Sequence, residues 1–288
     1  MIDLHVHTTY SDGSFDLKKV LEEAEKAKLE VLSITDHDNV LAYEELKSFD
    51  YKKIFSGKLI VGGEFNTSFN DLKIEFLGYD FDVDKIDKWC KEKYTYDEYA
   101  ILMNEFKMIV NKCIENDIKF DYIDYNPLMG WPVEVLLPSI KRYDENKKKF
   151  SEEAWNDKAH FFRCMTCDKN FPLYLDFSYL YPKAKEVSDT IRGACGKVFL
   201  AHLFLYPMDN YEKFLDDLRC ANLIDGVEVN HSKFTKEQVL FLKNYCKKYN
   251  LLMSCGSDYH GDKKVGRKIG CGYDNIYEDI SLIKNWID

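Results

Sequence analysis

Residues 3–13 read DLHVHTTYSDG, and this stretch is the starting point for predicting the fold and the site. Apolar and polar residues alternate from Ile2 to His7, which is the period-two pattern of a half-buried strand, so His5 and His7 are expected on one face. Ser-Asp-Gly is typical of a turn and places Asp12 beyond the strand end, where its carboxylate can join the imidazoles around a metal ion. The segment by itself also fits a buried strand with two hydrogen-bonded histidines.

Composition narrows the class of protein. The 288 residues include 40 Lys and Arg against 50 Asp and Glu, a formal net charge of −10 that disfavours stable nucleic-acid binding. A phosphorylated substrate therefore requires a site of reversed local charge, most simply one that binds divalent cations. No signal pattern precedes the first predicted strand and no apolar run approaches the ~20 residues that span a bilayer, so we expect a cytoplasmic protein without membrane association. The nine scattered cysteines, including the lone C-x-x-C at Cys164–Cys167, are interpreted as ordinary thiols.

Apolar runs that end in histidine or acid recur after the first strand, and each predicts a strand. The run 30–35 leads into Asp36, His37 and Asp38, and the run 59–65 contains Glu64. The later runs at 197–202, 225–231 and 251–255 end at or shortly before His202, His231, Asp258 and His260. Helical patterns at 16–28, 209–222 and 235–249 separate the strands. In parallel α/β architectures the carboxyl ends of the strands carry the site, so these side chains are expected to converge.

The alternation of strands and helices stops in the middle of the chain. Residues 94–116 show a long helical pattern, 124–138 contain three prolines, and 144–170 mix charges with aromatic residues. We therefore predict an α/β domain in two parts, residues 1–93 and 191–288, with a mainly helical insertion at 94–190. The oligomeric state is left open by the sequence.

The candidate side chains favour a particular chemistry. Imidazole nitrogens and carboxylate oxygens, without cysteine at the strand ends, suit Mn²⁺, Fe²⁺ or Zn²⁺, and the candidates are too many for one ion. A water shared by two ions loses a proton near neutral pH and becomes a nucleophile, while the ions neutralise the charge that develops on a phosphoryl group. These residues therefore favour metal-assisted hydrolysis of a phosphate ester.

Six motifs occur in order along the chain: His5-Val6-His7, Ser11–Gly13, Thr35–Asp38, Gly63-Glu64, Ala201-His202 and Gly256–Gly261. Together they resemble the motifs of the PHP family, named for polymerase and histidinol phosphatase, over the whole chain apart from its middle. The resemblance implies a distorted (β/α)7, TIM-like barrel with a metal site at the carboxyl ends of its strands. The layout of this chain is similar to that of the family members with an inserted helical segment, which act on nucleotides or other small phosphate esters.

Carried over position by position, the resemblance implies a trinuclear site. One ion is assigned to His5, His7, Glu64 and Asp258, and a second to Asp12, His37 and His260. Glu64 bridges to a third ion that also takes His202. Asp36 and Asp38 are expected to orient the ligating imidazoles.

One departure affects the third ion. Similar members have an Arg-Pro-His element in the insertion whose histidine completes that ion, whereas this chain has Val133 at the corresponding position. His160 or Glu134 can substitute, or the position is unligated and two ions remain. His231 either faces the substrate or is a solvent-exposed loop residue. Two alternatives to a phosphoesterase stay open: hydrolysis of a non-phosphate bond at the same site, as in amidohydrolases, and a metal-binding module without catalysis.

Overall fold

The computed structural model describes residues 1–94, 98–264 and 266–287, so residues 95–97 of the predicted 94–116 helix lie outside it. Seven strands occur within the described residues: β1 Ile2–Val6, β2 Val31–Ile34, β3 Lys58–Phe69, β4 Leu72–Tyr79, β5 Lys197–Leu200, β6 Gly226–His231 and β7 Leu252–Gly256. Ten α-helices accompany them: α1 Leu17–Lys26, α2 Leu41–Leu46, α3 Val83–Lys93, α4 Glu98–Glu115, α5 Pro132–Ile140, α6 Glu152–Asn156, α7 Lys158–Cys167, α8 Ala184–Gly193, α9 Tyr211–Cys220 and α10 Lys236–Tyr249.

The strands form one seven-stranded sheet in the order β1 to β7. Neighbouring strands are parallel except that β4 runs antiparallel to both β3 and β5. The sheet curls until β7 approaches β1, and a parallel bridge between Val6 and Tyr259 joins its two ends. A Cβ on Gly256 would lie 2.2 Å from the Cβ of His5, so only glycine permits this approach. The result is the nearly closed, distorted barrel that was predicted.

Local sequence signals explain where the covering helices begin. The Asp16 carboxylate accepts a hydrogen bond from the backbone N–H of Lys19 and caps α1. Thr235 and Gln238 form a reciprocal capping box at the start of α10. Each helix then buries one apolar stripe against the sheet, as the spacing of its leucines and valines predicts.

Apolar side chains fill the barrel on two sides. The interior cluster includes Ile2 and Leu4 together with Tyr79 and Phe199. Val6 instead joins the larger cluster between the sheet and the helices, because the register of β1 against β2 shifts between Asp3 and Val6. The simple alternation of inward and outward side chains predicted for β1 therefore breaks between Asp3 and Val6, the stretch that contains His5.

The inserted segment has an apolar core of its own. That cluster runs from Leu102 to Phe177 and draws on α4, α5, α6 and α7. Helix α8 starts at Ala184, ahead of the predicted boundary at 190, and its buried residues belong to the barrel cluster. The apolar stripe of α8 therefore faces the sheet, and the bounds of the insertion stay a prediction.

The sequence also gave expectations about membrane-spanning helices and about the cysteines. No helix among them combines the length and apolarity needed to cross a membrane. All nine cysteines are free thiols, and Cys164 and Cys167 lie buried on α7.

Candidate metal centre

Glu64 lies at the centre of the site and is 1 % exposed. Its Oε2 is 3.2 Å from His5 Nε2, 3.3 Å from His7 Nε2 and 3.3 Å from His37 Nδ1. Its Oε1 is 2.8 Å from His202 Nε2. His5 and His7 lie at the end of β1, His37 follows β2 and His202 follows β5. Glu64 lies within β3, just beyond the part of that strand that pairs with β2, so one carboxylate meets four imidazoles from across the barrel.

Asp12 forms a second meeting point on the loop after β1. Its Oδ1 is 3.0 Å from His260 Nε2, 3.7 Å from His7 Nδ1 and 3.8 Å from His37 Nε2. Burial opposes the charged form of Asp12, but its contact with His260 and the nearby imidazoles hold the pKa of this carboxyl well below its usual range. The carboxylate is therefore ionised and available to a cation.

Asp258 forms a third meeting point just after β7. Its Oδ1 is 3.3 Å from His7 Nε2 and 3.8 Å from His5 Nε2. Its Oδ2 contacts the guanidinium of Arg267 and lies 3.4 Å from Lys264 Nζ. The backbone of Asp258 is left-handed, with φ 53°, as is that of His202, with φ 25°. Non-glycine residues in this region are uncommon, and here they aim ligand-type side chains into the barrel mouth.

The donor set fits divalent cations. Three groups of ligand atoms each lie within 4.8 Å of one another: His7, Asp12, His37 and His260; His5, His7 and Asp258; and His5, Glu64 and His202. Together they comprise all eight residues predicted as metal ligands. Four buried atoms of these residues form no hydrogen bond of normal geometry within the described part of the chain, although three of them lie 3.0–3.8 Å from a polar atom of another candidate ligand: His7 Nε2, Asp12 Oδ1, His37 Nδ1 and His202 Nδ1. Buried polar atoms without partners are costly, and bound cations would satisfy most of them.

Comparison with known sequences identifies the family to which the chain belongs. A profile of the PHP domain matches residues 3–200, which is more than half of the chain. The chain belongs to the PHP family of metal-dependent phosphoesterases. A PHP relative from Eggerthella lenta, phosphoribosyl 1,2-cyclic phosphate 1,2-diphosphodiesterase, is 35% identical over 277 residues, covering 94% of this chain and 97% of that protein. A 5'-3' exoribonuclease from Haemophilus influenzae is 26% identical over 292 residues, covering 99% of this chain and 96% of its own length.

Solved structures show the same fold at lower identity. An amidohydrolase from Chromobacterium violaceum superposes with a TM-score of 0.65 at 19% identity, covering 96% of this chain and 92% of that one. A candidate metal-dependent phosphoesterase from Bifidobacterium adolescentis superposes with a TM-score of 0.59 at 22% identity and the same coverage. The fold shared with these structures therefore extends over nearly the whole chain.

Glu228, on β6, is a site residue of this PHP chain that the sequence analysis missed. Its Oε1 is 2.9 Å from His5 Nδ1, and its Oε2 accepts the backbone N–H of His202 at 2.7 Å. Metal-binding imidazoles commonly donate their second N–H to a carboxylate, which fixes the ring and its tautomer. Burial opposes the charge on Glu228, but neighbouring His5 lowers the pKa of Glu228. An acid inside the apolar run around Val227 and Val229 was the available signal.

Glu75 on β4 was also missed. Its carboxylate is 3 % exposed, and its Oε2 lies 3.4 Å from His202 Nε2 and 3.1 Å from Arg163 Nη1. Its Oε1 lies 3.3 Å from Lys73 Nζ, and the Tyr206 hydroxyl donates to Oε2 at 3.0 Å. Arg163 comes from α7, so the insertion brings an arginine to the barrel mouth although the Arg-Pro-His element is lacking.

Asp36 and Asp38 have other partners than predicted. Asp36 accepts hydrogen bonds from Thr8 N and Oγ1 at 2.7 Å each and from Ser11 Oγ at 2.6 Å, and Ser11 Oγ is 3.5 Å from His7 Nδ1. Asp38 accepts from the backbone and side-chain nitrogens of Asn66. Neither carboxylate contacts an imidazole among the described residues. Asp36 fastens the loop after β1 and reaches His7 only through Ser11, and Asp38 holds Asn66 of β3, so a role for either carboxylate in orienting the imidazoles stays a prediction.

His231 is fully buried, so its interpretation as an exposed loop histidine is wrong. Its Nε2 is 3.3 Å from Asp258 Oδ2, and its Nδ1 accepts the backbone N–H of Lys233 at 3.1 Å. Burial lowers the pKa of His231 to about 4, which keeps the ring neutral at physiological pH. Within the described residues it borders the metal-ligand candidates, and contact with the substrate stays a prediction.

The insertion residues considered for the third ion lie elsewhere. Val133 is buried in the insertion core on α5. Glu134 pairs with Lys158 at 2.5 Å, and His160 Nδ1 is 3.7 Å from Glu153 Oε1. Neither belongs to the three ligand groups found among the described residues. Glu134 on α5 pairs with Lys158 on α7, and His160 on α7 lies near Glu153 on α6, so neither side chain reaches the ligand groups and the proposed substitution is wrong for the described structure.

Proposed function

We propose that this PHP protein hydrolyses a small phosphate monoester, a nucleotide or a phosphorylated metabolite, with two or three divalent ions of the Mn²⁺, Fe²⁺ or Zn²⁺ type. One observation carries the proposal: eight ligand-type side chains from distant parts of the chain converge, and several of their buried atoms form no hydrogen bond within the described residues. When bound, such ions activate water and neutralise charge on a phosphoryl group. The proposed ligands are His5, His7, Asp12, His37, Glu64, His202, Asp258 and His260.

The chain's own residues hold the site in shape. Glu228 fixes the ring of His5 and the backbone of His202, so both imidazoles keep their direction towards Glu64. Asp36 ties Thr8 and Ser11 together and thereby positions the loop that carries Asp12. Preorganised ligands of this kind raise metal affinity, because less conformational freedom is lost on binding.

Basic side chains lie on two sides of the site although the protein is acidic overall. Lys73 and Arg163 border Glu75 on one side, and Lys264 and Arg267 border Asp258 on the other. Arginine and lysine have several N–H donors each, so donors remain for phosphate oxygens after these contacts are made. A phosphorylated substrate is therefore favoured over a neutral one.

The names of two relatives support a second substrate class. Both the Haemophilus influenzae exoribonuclease and the Eggerthella lenta diphosphodiesterase are named for cleavage of phosphodiester bonds. A phosphodiester of a nucleotide or short RNA end is therefore the second candidate. The net charge of −10 argues for contacts confined to the site rather than along a polynucleotide.

The test compares two chromogenic substrates with and without metal. Purified protein is stripped with a chelator, reloaded with Mn²⁺ and assayed with p-nitrophenyl phosphate and bis(p-nitrophenyl) phosphate. We expect turnover to vanish on chelation and to return with Mn²⁺, and the ratio of the two rates to distinguish monoester from diester chemistry. His260→Ala should abolish turnover, whereas the matched variant His160→Ala should retain it. Equal rates in stripped and reloaded protein would refute the proposal, and turnover of amide or lactone substrates alone would favour the amidohydrolase alternative.

A further inference from the structure

Two protein cations stand next to the position expected for a third ion. Lys73 Nζ lies 3.3 Å and Arg163 Nη1 lies 3.1 Å from the Glu75 carboxylate, and we call Lys73 and Arg163 the cation pair. Glu75 Oε2 is in turn 3.4 Å from Nε2 of His202, the imidazole assigned to the third ion. The cation pair therefore reaches this imidazole through a single carboxylate.

We propose that the cation pair takes the place of a third metal ion, so that the chain holds two ions and a fixed positive charge built from its own side chains. The inference rests on the proposed metal-dependent function. It assigns Lys73, Glu75 and Arg163 to the site and predicts two metal ions per chain.

Few ligands are left for a third ion. Of the group formed by His5, Glu64 and His202, His5 also belongs to the group with Asp258. Glu64 Oε2 faces the imidazoles of His5, His7 and His37. A further carboxylate beside His202 Nε2 is that of Glu75, and each of its oxygens already contacts a cation. A divalent ion bound here would have to displace these contacts and would meet the positive charge of both side chains.

The cation pair is built into the fold. Lys73 and Glu75 are two residues apart on β4 and so lie on the same face of the strand. The Arg163 guanidinium lies 5.6 Å from the ring centroid of Tyr206, and Lys73 Nζ lies 5.3 Å from that of Tyr181. The Tyr206 hydroxyl also accepts the backbone N–H of Glu75 at 2.9 Å. Side chains restrained by ring, carboxylate and backbone contacts hold their charge in a fixed place.

Exposure shows that the charge is turned towards the site and not towards bulk water. The side chains of Lys73 and Arg163 are 14% and 23% exposed, and that of Glu75 is 4% exposed. Two cations and one carboxylate leave one positive charge beside His202. That charge can serve a substrate anion in the way a third ion would, and a chelator cannot remove it.

Metal counting tests the inference without an activity assay. Wild-type protein is stripped, dialysed against a fixed free Mn²⁺ concentration and analysed for manganese per chain by mass spectrometry, with calorimetric titration as a second count. We expect two ions in the wild type and three in the double variant Lys73→Met, Arg163→Met, since Glu75 is then free to ligate. Adding Glu75→Gln to that double variant should return the count to two. Arg192→Met is the matched control, because Arg192 pairs with Asp225 away from the site and has a similar exposure of 25%.

The outcomes separate this inference from the proposed function. Three ions in the wild type, or an unchanged count in a double variant that is folded by circular dichroism, would overturn the cation pair and leave the phosphoesterase intact. No ion in the wild type would refute the proposed function itself. If the double variant does not fold, the single variant Glu75→Gln provides the test. Two ions per chain in both the wild type and Glu75→Gln support the inference. Three ions in the wild type and two in Glu75→Gln identify Glu75 as a metal ligand and overturn the inference.

Discussion

His5 and Glu228 meet at the bottom of the site, where the imidazole Nδ1 lies 2.9 Å from carboxylate Oε1 and both side chains are fully buried. The other ring nitrogen of His5 points at Glu64. Burial opposes a charge on the ring, but the carboxylates of Glu64 and Glu228 raise the pKa of His5 well above its usual value in the metal-free protein. A cation bound at Nε2 would have to displace that proton, so metal and proton are expected to compete for His5.

Glu228→Gln is expected to lower the affinity for Mn²⁺ by roughly 10- to 100-fold, the usual effect of removing a partner that orients a metal ligand. Gln keeps the size of the side chain but holds the Nδ1 proton more weakly. Affinity is measured by competition with a fluorescent chelator. Glu237→Gln, on the exposed side of α10, is the control. Unchanged affinity in a folded Glu228→Gln variant would mean that the carboxylate does not orient the ring.

Asp3→Asn is expected to destabilise the metal-free protein by roughly 1–3 kcal/mol. The buried carboxylate accepts hydrogen bonds from Ser257 N at 3.0 Å, Ser257 Oγ at 2.6 Å and Gly270 N at 2.6 Å. An asparagine amide would present N–H groups to donors, and the loop that carries Asp258 would lose its anchor. Urea unfolding measures the effect, with the exposed Asp262→Asn as the control. Equal unfolding midpoints for Asp3→Asn and wild type would contradict this role.

Phe161→Ala is expected to cost roughly 3–5 kcal/mol of stability, since the ring is fully buried in the insertion core. Because this core is distinct from the barrel clusters, the manganese content of the folded variant should match that of the wild type. Thermal unfolding and metal analysis are measured on the same samples. Tyr122→Ala, which removes a ring that is 89% exposed, should change neither. Loss of metal from folded Phe161→Ala protein would show that the insertion and the barrel form one cooperative unit.

Glu105→Gln is expected to change how stability depends on pH. Burial raises the pKa of Glu105 from 4.5 to about 7, so the folded protein binds this proton more tightly than the unfolded chain does. The wild type therefore loses stability from this group as the pH rises from about 4.5 to about 7, and the loss is complete above that range. The Gln variant does not undergo this loss. Its free energy of unfolding relative to wild type should therefore rise by up to roughly 3 kcal/mol between about pH 4.5 and about pH 7.

The measurement for Glu105→Gln is urea unfolding of both proteins at several pH values. Subtracting the two free energies of unfolding at each pH cancels the other titrating groups. Glu115→Gln, at the exposed end of the same helix, is the matched control. A flat difference for Glu105→Gln would show that Glu105 titrates normally in the folded protein.

Local sequence determined most of the architecture and all eight proposed ligands. The signals used were strand and helix periodicity, turn residues and helix caps, and each depends on residues within about ten positions. They can therefore be recognised without knowing which elements pack against each other. Histidines and acids at the ends of apolar runs pointed to the carboxyl edge of the sheet, because parallel strands bring those ends together. The resemblance to the PHP family then assigned each position.

Tertiary structure alone decided the residues that complete the site. Glu228 reaches His5 across 223 positions of sequence, and Arg163 reaches Glu75 across 88. Each acid lies in an alternating or apolar strand, where sequence cannot distinguish a solvated face from the mouth of a closed barrel. Closure of the sheet buries that face, and a buried carboxylate then requires partners that only the folded chain brings near. For the same reason the side chains of His160 and Glu134 could be judged only once the helices of the insertion were placed.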